Sequence, residues 1–310
     1  MKLIVTIPAY NEEKSIVEVV KSIPRKIPGI SKVEVLVYDD GSTDGTANAA
    51  KRAGAEYVFS HTVNKGLAVT FRDALEKALS LGADILVNTD ADNQYDQAEI
   101  PRLISPILAR KADLVIGNRQ VEKLAHMTFA KKYGNIAGSF VIRALTGMKV
   151  QDASSGFRAH SRECASMLNV VSLHTYTHET LIDAHFKGLT VINVPVTFKK
   201  RPHGTSKLIK GVGSHIGKSA ATIIRSVLLY RAFALLTKLG GFITIIGLVL
   251  LGRYLYFALL LGKSEGHIQS LVISSILIGV GLNVLVLGFV ADLVAYNRKL
   301  IESIKLKEQK

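Results

Sequence analysis

The chain has 310 residues, of which 48% are hydrophobic, so it can bury one full-sized core and still supply a second unit. Its 39 basic and 25 acidic side chains give a formal net charge of +14, which implies an anionic partner such as nucleic acid, a membrane surface or a phosphorylated substrate. The single cysteine, Cys164, excludes an intrachain disulfide and a cysteine-based zinc site.

Short β-branched runs alternate with helical stretches over about the first 200 residues. The predicted strands are residues 3–7, 33–38, 57–60, 85–89, 114–116 and 191–196. This alternation predicts an α/β fold with a mainly parallel sheet covered by helices. The first run is too short for the core of a signal peptide and charged residues soon follow it, so we expect a strand that stays in the cytosol.

Signals for the start of a helix follow three of these strands directly. They are Asn11 before two glutamates, Ser42-Thr43-Asp44, and Asn64-Lys65-Gly66 before the amphipathic stretch 67–81. The three loops therefore fall at the carboxyl edge of the sheet, where open α/β sheets bind their ligands.

Two long apolar segments lie in the last quarter of the chain. Residues 239–262 carry one charge, Arg253, and residues 268–291 carry none. At about 1.5 Å per residue each segment reaches roughly 36 Å, enough to cross a hydrocarbon core of about 30 Å. The sequence predicts a C-terminal two-helix transmembrane hairpin, and a buried hairpin of a soluble protein is the alternative.

Basic residues are concentrated outside this hairpin, whereas its connection, residues 263–267, carries only Lys263. The flanking cations are Lys207, Lys210, Lys218, Arg225, Arg231, Lys238, Arg298, Lys299, Lys305 and Lys307. By the positive-inside rule we expect a cell-membrane protein that spans twice, with its N-terminal domain and both termini in the cytoplasm. Arg253 either snorkels to the interface or faces a neighbouring helix or a lipid phosphate.

These features divide the chain into four predicted parts. They are an N-terminal domain at 1–208, basic amphipathic interfacial helices at 209–237, the two spans within 238–292 and a basic cytosolic tail at 293–310. For 209–237, a helix packed against the N-terminal domain is an equally good interpretation. The charge beside the hairpin favours a lipid bilayer over nucleic acid as the anionic partner.

Asp90-Ala91-Asp92 follows the apolar strand at 85–89, so two carboxylates project to the same side of an extended segment. Two hard oxygen ligands at a strand end can hold Mg²⁺ or Mn²⁺ while diphosphate oxygens fill the remaining metal positions. A solvated acidic turn is the alternative interpretation of this motif alone.

Two further strand-end loops carry polar residues. Asp39 ends a strand and can accept hydrogen bonds from a nucleobase or a ribose, although an ordinary helix-capping turn also explains the segment 39–46, and Asp44 in particular. In the loop Pro8-Ala9-Tyr10-Asn11-Glu12, Tyr10 is available for contact with a base.

The ordered set of motifs resembles the family-2 glycosyltransferases of GT-A fold. The motifs are Pro8-Ala9-Tyr10-Asn11-Glu12, Asp39-Asp40-Gly41-Ser42-Thr43-Asp44, Asn64-Lys65-Gly66 and Asp90-Ala91-Asp92. Later motifs resemble the branch that makes dolichyl-phosphate mannose, dolichyl-phosphate glucose and related lipid-linked sugars. These are Asp92-Asn93-Gln94-Tyr95, Gly117-Asn118-Arg119, Ser155-Gly156-Phe157-Arg158 and the segment 201–207. The resemblance covers about residues 3 to 208, and the terminal hairpin also occurs in that branch.

The resemblance implies an enzyme that moves a sugar from a UDP- or GDP-sugar to dolichyl or polyprenyl phosphate, for protein glycosylation or envelope glycan synthesis. The donor would be held by Pro8, Ala9, Tyr10, Glu12, Asp39, Asp90, Ala91 and Asp92. The metal, Mg²⁺ or Mn²⁺, would be held by Asp90, Asp92 and Gln94. The acceptor phosphate would meet Arg119, Lys132, Ser139 and Lys207, and the catalytic residues would be Asp92, Arg119 and Arg201.

This chain departs from the family pattern at two places. It has Lys131-Lys132 where relatives often have arginine, and a lysine presents a point charge instead of a bidentate fork. It also has Gly204-Thr205-Ser206-Lys207 where Gly-Glu-Ser-Lys is commoner. The histidines His174, His178 and His185 have no recognisable ligand spacing and receive no role.

The implied mechanism is an in-line displacement at the anomeric carbon with inversion. A phosphate acceptor is ionised near neutral pH and needs no general base, so we expect Glu179 to be structural. A nucleotidyltransferase and a non-catalytic membrane scaffold are the competing functions. The sugar stays open between glucose, N-acetylglucosamine and mannose, with a preference for the archaeal-type enzymes that use UDP-glucose or UDP-N-acetylglucosamine. The oligomeric state stays open between a monomer and a homo-oligomer, since hairpin anchors of this kind often associate.

Overall fold

The computed structural model describes residues 1–125, 127–172, 175–203, 212–262 and 267–308, with only the backbone of 212–231, 299 and 302–308. Within these residues the chain divides into two compact units, Met1–Ser226 and Val227–Lys310. The predicted boundaries at 208, 237 and 292 stay predictions. Position 208 lies outside the described residues, and the helices Val212–Leu255 and Ile268–Glu308 run through 237 and 292 without interruption. Lys207 and its neighbours 204–206 lie outside the described residues.

The first unit is built on a seven-stranded sheet in the order β3-β2-β1-β4-β6-β5-β7. The strands are β1 (Lys2–Ala9), β2 (Lys32–Asp39), β3 (Tyr57–Ser60), β4 (Ile85–Asn88), β5 (Leu114–Asn118), β6 (Arg158–Ser161) and β7 (Val191–Pro195). All except β6 run in one direction. The predicted mainly parallel sheet is therefore confirmed, and six of its strands occupy the predicted β-branched runs.

The sequence did not predict β6, the antiparallel strand between β4 and β5. Its four residues include Arg158 and His160, which are polar types that rarely lie in a central strand. Both side chains are nevertheless fully buried. Arg158 is accommodated because Ala153 O, Ser155 O and Thr177 O accept its hydrogen bonds at 2.8 to 2.9 Å.

Helices pack against the strands of this sheet, and two long helices follow later in the chain. They are α1 (Glu13–Ser22), α2 (Thr46–Arg52), α3 (Leu67–Ser80), α4 (Ile100–Leu108), α5 (Phe129–Thr146), α6 (Arg162–Met167), α7 (Thr177–Phe186), α8 (Val212–Leu255) and α9 (Ile268–Glu308). In α4, Ile100, Leu103, Ile104 and Ile107 are buried at helical spacing. They pack into the core with the fully buried β4, whose continuous apolar run is typical of a central parallel strand.

The second unit contains two helical spans, Ala232–Leu260 and Ile268–Arg298, that are long and apolar enough to cross a membrane. Their large side chains are exposed on the described surface: Phe242 is 64%, Val249 66% and Phe289 60% exposed. A hairpin in the core of a soluble protein would bury these side chains, so the structure argues against that alternative. The two predicted apolar C-terminal helices are confirmed.

Within this unit the two helices approach closely along a seam of small residues. A Cβ added to Gly281 would lie 2.8 Å from Thr244 N and 2.9 Å from Gly240 O. A Cβ on Gly247 would lie 3.1 Å from Ser274 O. Small residues at such positions let two helix backbones pack together, which is how helices associate in the absence of water.

We expect Gly281→Ala to weaken the hairpin, because the new methyl group must push two helix backbones apart at a cost of about 1–3 kcal/mol. The matched control is Gly279→Ala, where an added Cβ meets nothing within 4 Å. The measurement is the melting temperature of the detergent-purified protein. A lower value for Gly281→Ala alone supports the seam, whereas equal values for both variants contradict it.

Candidate active site

The loops that carry the predicted site residues meet at one edge of the sheet. Ala9 at the end of β1 pairs in register with Asp39 at the end of β2, and Thr6 pairs with Asn88 at the end of β4. Arg119 follows the last residue of β5 directly. Because β6 runs the other way, the loop that leads into it, residues 153–157, lies at the same edge. Parallel strands thus bring together groups that are far apart in sequence.

The loops after β1 and β2 are joined by hydrogen bonds. Asn11 N donates to Ser42 Oγ at 2.8 Å, and Thr43 N donates to Asn11 Oδ1 at 2.8 Å. Glu12 N donates to Thr46 Oγ1 at 2.8 Å. The two predicted donor loops therefore form one continuous surface at the edge of the sheet.

Asp39 is buried at the base of this surface, where its carboxylate accepts hydrogen bonds from Ser42 N, at 3.3 Å, and from Ser42 Oγ. The Asp44 carboxylate accepts a hydrogen bond from Thr46 N at 3.0 Å, which is the contact expected of an aspartate in a helix-capping turn. The other predicted donor residues of this region are Pro8 and Ala9, which are buried, Tyr10, which is half-buried, and Ala91, which is buried.

Asp40 organises a neighbouring loop that the sequence linked to the site only by motif. Its carboxylate accepts hydrogen bonds from Lys65 N and Gly66 N, both at 2.9 Å. It also lies 2.9 Å from His61 Nδ1, whose Nε2 lies 2.9 Å from Asp73. Asp40 therefore fixes the Asn64-Lys65-Gly66 turn beside Asp39, and no periodicity in the sequence indicated its partner His61.

Asp90 and Asp92 lie just beyond β4, where the polypeptide leaves the core. Burial, and then the adjacent Asp92 carboxylate, raise the pKa of Asp90 above the ordinary value of an aspartate. Burial also raises the pKa of Asp92, against the opposing effect of Arg201. The protein thus holds two carboxylates together without a full counter-charge.

Gly156 and Tyr176 shape the floor under Asp90. A Cβ on Gly156 would lie 2.8 Å from Asp90 Oδ1 and 3.1 Å from the hydroxyl oxygen of Tyr176. Asn88 Nδ2 donates to that hydroxyl at 2.8 Å and to Gly156 O at 2.9 Å. Tyr176 itself is stacked on Phe71, with ring centroids 3.7 Å apart. Only glycine at 156 leaves room for the Asp90 carboxylate in this position.

Arg201 reaches the acidic pair from the segment after β7. Its Nη2 forms an ion pair with Glu12, and its Nη1 lies 3.7 Å from Asp92 Oδ2. Residues 198–203, which we call the strap, pack on residues 92–95, which carry predicted metal ligands and which we call the metal loop. Lys199 N donates to Gln94 O at 2.7 Å, and Gln94 Nε2 donates to Lys199 O at 3.1 Å. The structure therefore places Arg201 beside Asp92 and attaches the strap to Gln94, and the roles predicted for these three residues stay predictions.

Arg119 is held by several hydrogen bonds near the acidic pair, with its guanidinium 5.1 Å from the centre of the Phe198 ring. Its Nε and Nη2 donate to the two oxygens of Asp152 at 2.7 and 2.8 Å, and Nη2 also donates to Ser154 Oγ at 2.8 Å. Burial opposes the charge of Asp152, but Arg119 outweighs it, and the pKa of Asp152 lies below its ordinary value. Asn135 Nδ2 donates to Asp152 as well, at 3.0 Å. No motif or spacing in the sequence indicated Asp152 as the partner of this arginine.

The predicted acceptor residues on α5 are placed differently from one another. Lys131 is exposed, and Lys132 Nζ donates to the carbonyl oxygen of Glu122. Ser139 is only 1% exposed, and its Oγ accepts a hydrogen bond from Ala153 N at 3.0 Å. The buried Ser139 hydroxyl supports the 153–157 loop, and its predicted contact with the acceptor phosphate stays a prediction.

Glu179 lies in α7, and its carboxylate is only 6% exposed. Its two oxygens accept hydrogen bonds from Val171 N at 3.1 Å and Ser172 N at 3.0 Å. These bonds tie α7 to the preceding loop, as expected for a structural residue.

The acidic pair suits a hard divalent cation. Among the residues that the structure describes, no group of three or more His, Cys, Asp or Glu side chains is arranged to hold a metal ion. Mg²⁺ and Mn²⁺ commonly bind one or two carboxylates and take their other ligands from substrate phosphates and water. Burial raises the pKa of both Asp90 and Asp92, and a divalent cation bound beside them would stabilise their charged forms.

Comparison with known proteins agrees with this arrangement. Residues 4–166 match the family model described as "Glycosyl transferase family 2". An undecaprenyl-phosphate mannosyltransferase of Micrococcus luteus is 30% identical over 250 residues, covering 77% of this chain and all of the relative. A UDP-N-acetylglucosamine–dolichyl-phosphate N-acetylglucosaminyltransferase of Methanococcus voltae is 33% identical over 212 residues, 61% of this chain and 82% of the relative.

A solved structure shares the fold of the first unit. It is the glucosyl-3-phosphoglycerate synthase of Mycobacterium tuberculosis in complex with Mn²⁺, UDP and glucosyl-3-phosphoglycerate. It is 25% identical with a TM-score of 0.54, and the match covers 73% of this chain and 80% of the other.

We expect Gly156→Ala to weaken Mn²⁺ binding about tenfold or more, the usual effect of disturbing a residue that supports a metal ligand. The added methyl group would displace the Asp90 carboxylate from its position. Mn²⁺ bound to the purified protein is measured by the loss of the free-ion signal in electron paramagnetic resonance.

The matched control is Gly134→Ala, because a Cβ there meets nothing within 4 Å. Unchanged Mn²⁺ affinity in Gly156→Ala, with the protein still folded, would show that Asp90 is not a metal ligand.

Proposed function

This chain belongs to glycosyl transferase family 2 and is a glycosyltransferase, and we propose that it transfers a sugar from a nucleotide-sugar to a polyprenyl or dolichyl phosphate. Its relatives are dolichyl- and polyprenyl-phosphate sugar transferases. Family membership removes the nucleotidyltransferase alternative. The retained Asp90, Asp92 and Arg119 argue against a non-catalytic scaffold.

In this proposal the donor lies across the ends of β1, β2 and β4. Pro8, Ala9, Tyr10, Glu12 and Asp39 contact the nucleoside, and the hydrogen bonds between their loops support this assignment. Asp90, Ala91 and Asp92 border the diphosphate. Pre-positioned loops reduce the ordering that donor binding requires, which favours binding.

We assign the metal to Asp90 and Asp92, with Gln94 as a third group at the same loop. A bound Mg²⁺ or Mn²⁺ would neutralise the charge that develops on the diphosphate leaving group. The neighbouring structure was solved with Mn²⁺ and UDP, which supports a divalent cation here. Arg201, from the strap, adds a second positive group on the diphosphate side.

The acceptor phosphate is assigned to the side of Arg119. The bidentate pair with Asp152 fixes the direction of the guanidinium, and within the described residues its Nη1 makes no hydrogen bond. Lys132 and Lys207 are proposed to add positive charge around the phosphate. A phosphate oxygen held there attacks the anomeric carbon from the face opposite the leaving diphosphate, so the C–O bond to the diphosphate breaks and the configuration inverts.

The choice of a phosphate acceptor rests on the burial and hydrogen bonding of Glu179. A hydroxyl acceptor needs a base to remove its proton, whereas a phosphate acceptor is ionised near neutral pH. Glu179 is buried, and both of its oxygens already accept backbone hydrogen bonds. Glu179 falls near the position where related transferases with hydroxyl acceptors carry their catalytic base, and here its carboxylate is bound to the backbone, which favours an acceptor that needs no base.

The two apolar helices of the second unit suit an acceptor that resides in a bilayer. We propose that they span the cell membrane twice, with the catalytic domain and both termini in the cytoplasm, because the flanking cations exceed those of the connection. We also propose that 209–237 lies at the membrane interface and that 293–310 is a cytosolic tail. Self-association of the hairpins stays a prediction.

The test is a transfer assay with the full-length protein in detergent, polyprenyl phosphate, Mg²⁺ or Mn²⁺, and labelled UDP-glucose, UDP-N-acetylglucosamine and GDP-mannose. We expect one donor to give a lipid-linked sugar and a nucleoside diphosphate. Asp92→Asn should lower the rate about a hundredfold or more, because the leaving group loses its counter-charge. Asp96→Asn, a carboxylate of the same loop outside the assigned metal ligands, is the matched control and should retain activity.

A parallel reaction offers 3-phosphoglycerate, which is soluble, in place of the lipid. Transfer to this acceptor but not to the lipid would contradict the assigned acceptor and leave the donor site intact. Absence of transfer to any acceptor would contradict the proposed reaction.

A further inference from the structure

The strap is attached to the loop that carries the proposed metal ligands. Phe198 packs edge-on against Tyr95, with ring centroids 5.0 Å apart, and the two residues pair as an isolated bridge. The backbone of Lys199 exchanges hydrogen bonds with Gln94, at 2.7 and 3.1 Å. The strap therefore packs directly on the segment 92–95, so a shift in the position of one segment would displace the other.

A single guanidinium links this loop to the donor loop after β1. Arg201 Nη2 forms an ion pair with Glu12, and Nη1 lies 3.7 Å from Asp92 Oδ2. Arg201 Nε also donates to His203 O at 3.0 Å, which orients the side chain. All three charged side chains are at most 16% exposed, so water screens their attraction less than at an open surface.

Arg201 and a bound divalent metal ion would therefore compete for the Asp92 carboxylate. A divalent ion at Asp92 needs oxygen lone pairs that face Arg201, and the two positive charges repel each other at short range. Glu12 and Asp92 are, in addition, groups proposed to contact donor and metal. A guanidinium fork matches diphosphate oxygens well, so an incoming donor offers Arg201 a replacement partner.

We propose that Arg201 is an exchangeable counter-cation: it neutralises Asp92 and Glu12 in the empty site and moves to the diphosphate when metal and donor bind together. Arg201 then disfavours metal binding alone and favours metal binding with nucleotide. This coupling keeps a bare metal ion from occupying the site and makes metal and donor bind cooperatively. The inference rests on the proposed metal and donor site and adds the order of its assembly.

The test measures Mn²⁺ affinity of the full-length protein by electron paramagnetic resonance, first without nucleotide and then with saturating UDP or GDP. In the absence of nucleotide, we expect Arg201→Gln to bind Mn²⁺ about fivefold tighter or more than wild type, the lower end of typical coupling between linked sites. With nucleotide present, we expect wild type to bind Mn²⁺ more tightly than Arg201→Gln, because only wild type makes the Arg201–diphosphate contact.

Two variants separate the specific contact from general charge effects. Lys199→Gln removes the same charge from the same strap, but its side chain is 58% exposed and pairs with Asp96 at 3.5 Å, so we expect a change of about twofold or less. Arg201→Lys keeps the charge at the position and should bind bare Mn²⁺ nearly as weakly as wild type.

Unchanged or weaker Mn²⁺ binding by Arg201→Gln without nucleotide would overturn the inference. An equal gain in Lys199→Gln would also overturn it, since the effect would then be long-range repulsion. Failure of the underlying site gives a different result: wild type and Asp92→Asn would bind Mn²⁺ equally, with and without nucleotide.

Discussion

The central physical constraint on the candidate site is that two carboxylates, Asp90 and Asp92, lie close together and largely buried just after a buried strand. Like charges in such surroundings repel, and burial raises the pKa of both groups. Two arginines partly offset this repulsion: Arg119, which follows β5, and Arg201, which follows β7. A site arranged in this way favours ligands that bring a divalent cation and a diphosphate together.

The two cations are restrained to different degrees, and this suits different roles. Arg119 is fixed by a bidentate pair with the buried Asp152, so its position is set before any substrate arrives. Arg201 belongs to the strap, which is attached to residues 92–95 through two hydrogen bonds between Lys199 and Gln94 and the aromatic contact of Phe198 with Tyr95. We therefore assign the fixed cation to the acceptor side and the exchangeable cation to the donor side. Between them, Gly156 leaves the space that Asp90 needs.

Much of this could be predicted from sequence because it is local. Apolar runs that end in polar motifs marked six strands, the carboxyl edge and the position of Asp90 and Asp92, and two uncharged segments marked the apolar helices. The unpredicted parts depend on contacts between distant residues. Strand β6 was not predicted because its buried Arg158 is stabilised by hydrogen bonds to backbone carbonyl groups, which the sequence pattern does not indicate. The burial of Ser139 could not be predicted either, because it depends on the packing of the distant 153–157 loop against α5.

The most direct measurement is the binding of UDP and GDP to the purified full-length protein by calorimetry, with Mn²⁺ and again after its removal with EDTA. If Asp90 and Asp92 form a metal-dependent donor site, one nucleotide binds in Mn²⁺ and its affinity falls at least about tenfold in EDTA, as expected when the metal bridges protein and phosphates. Equal binding under both conditions, or no binding of either nucleotide, would contradict the account.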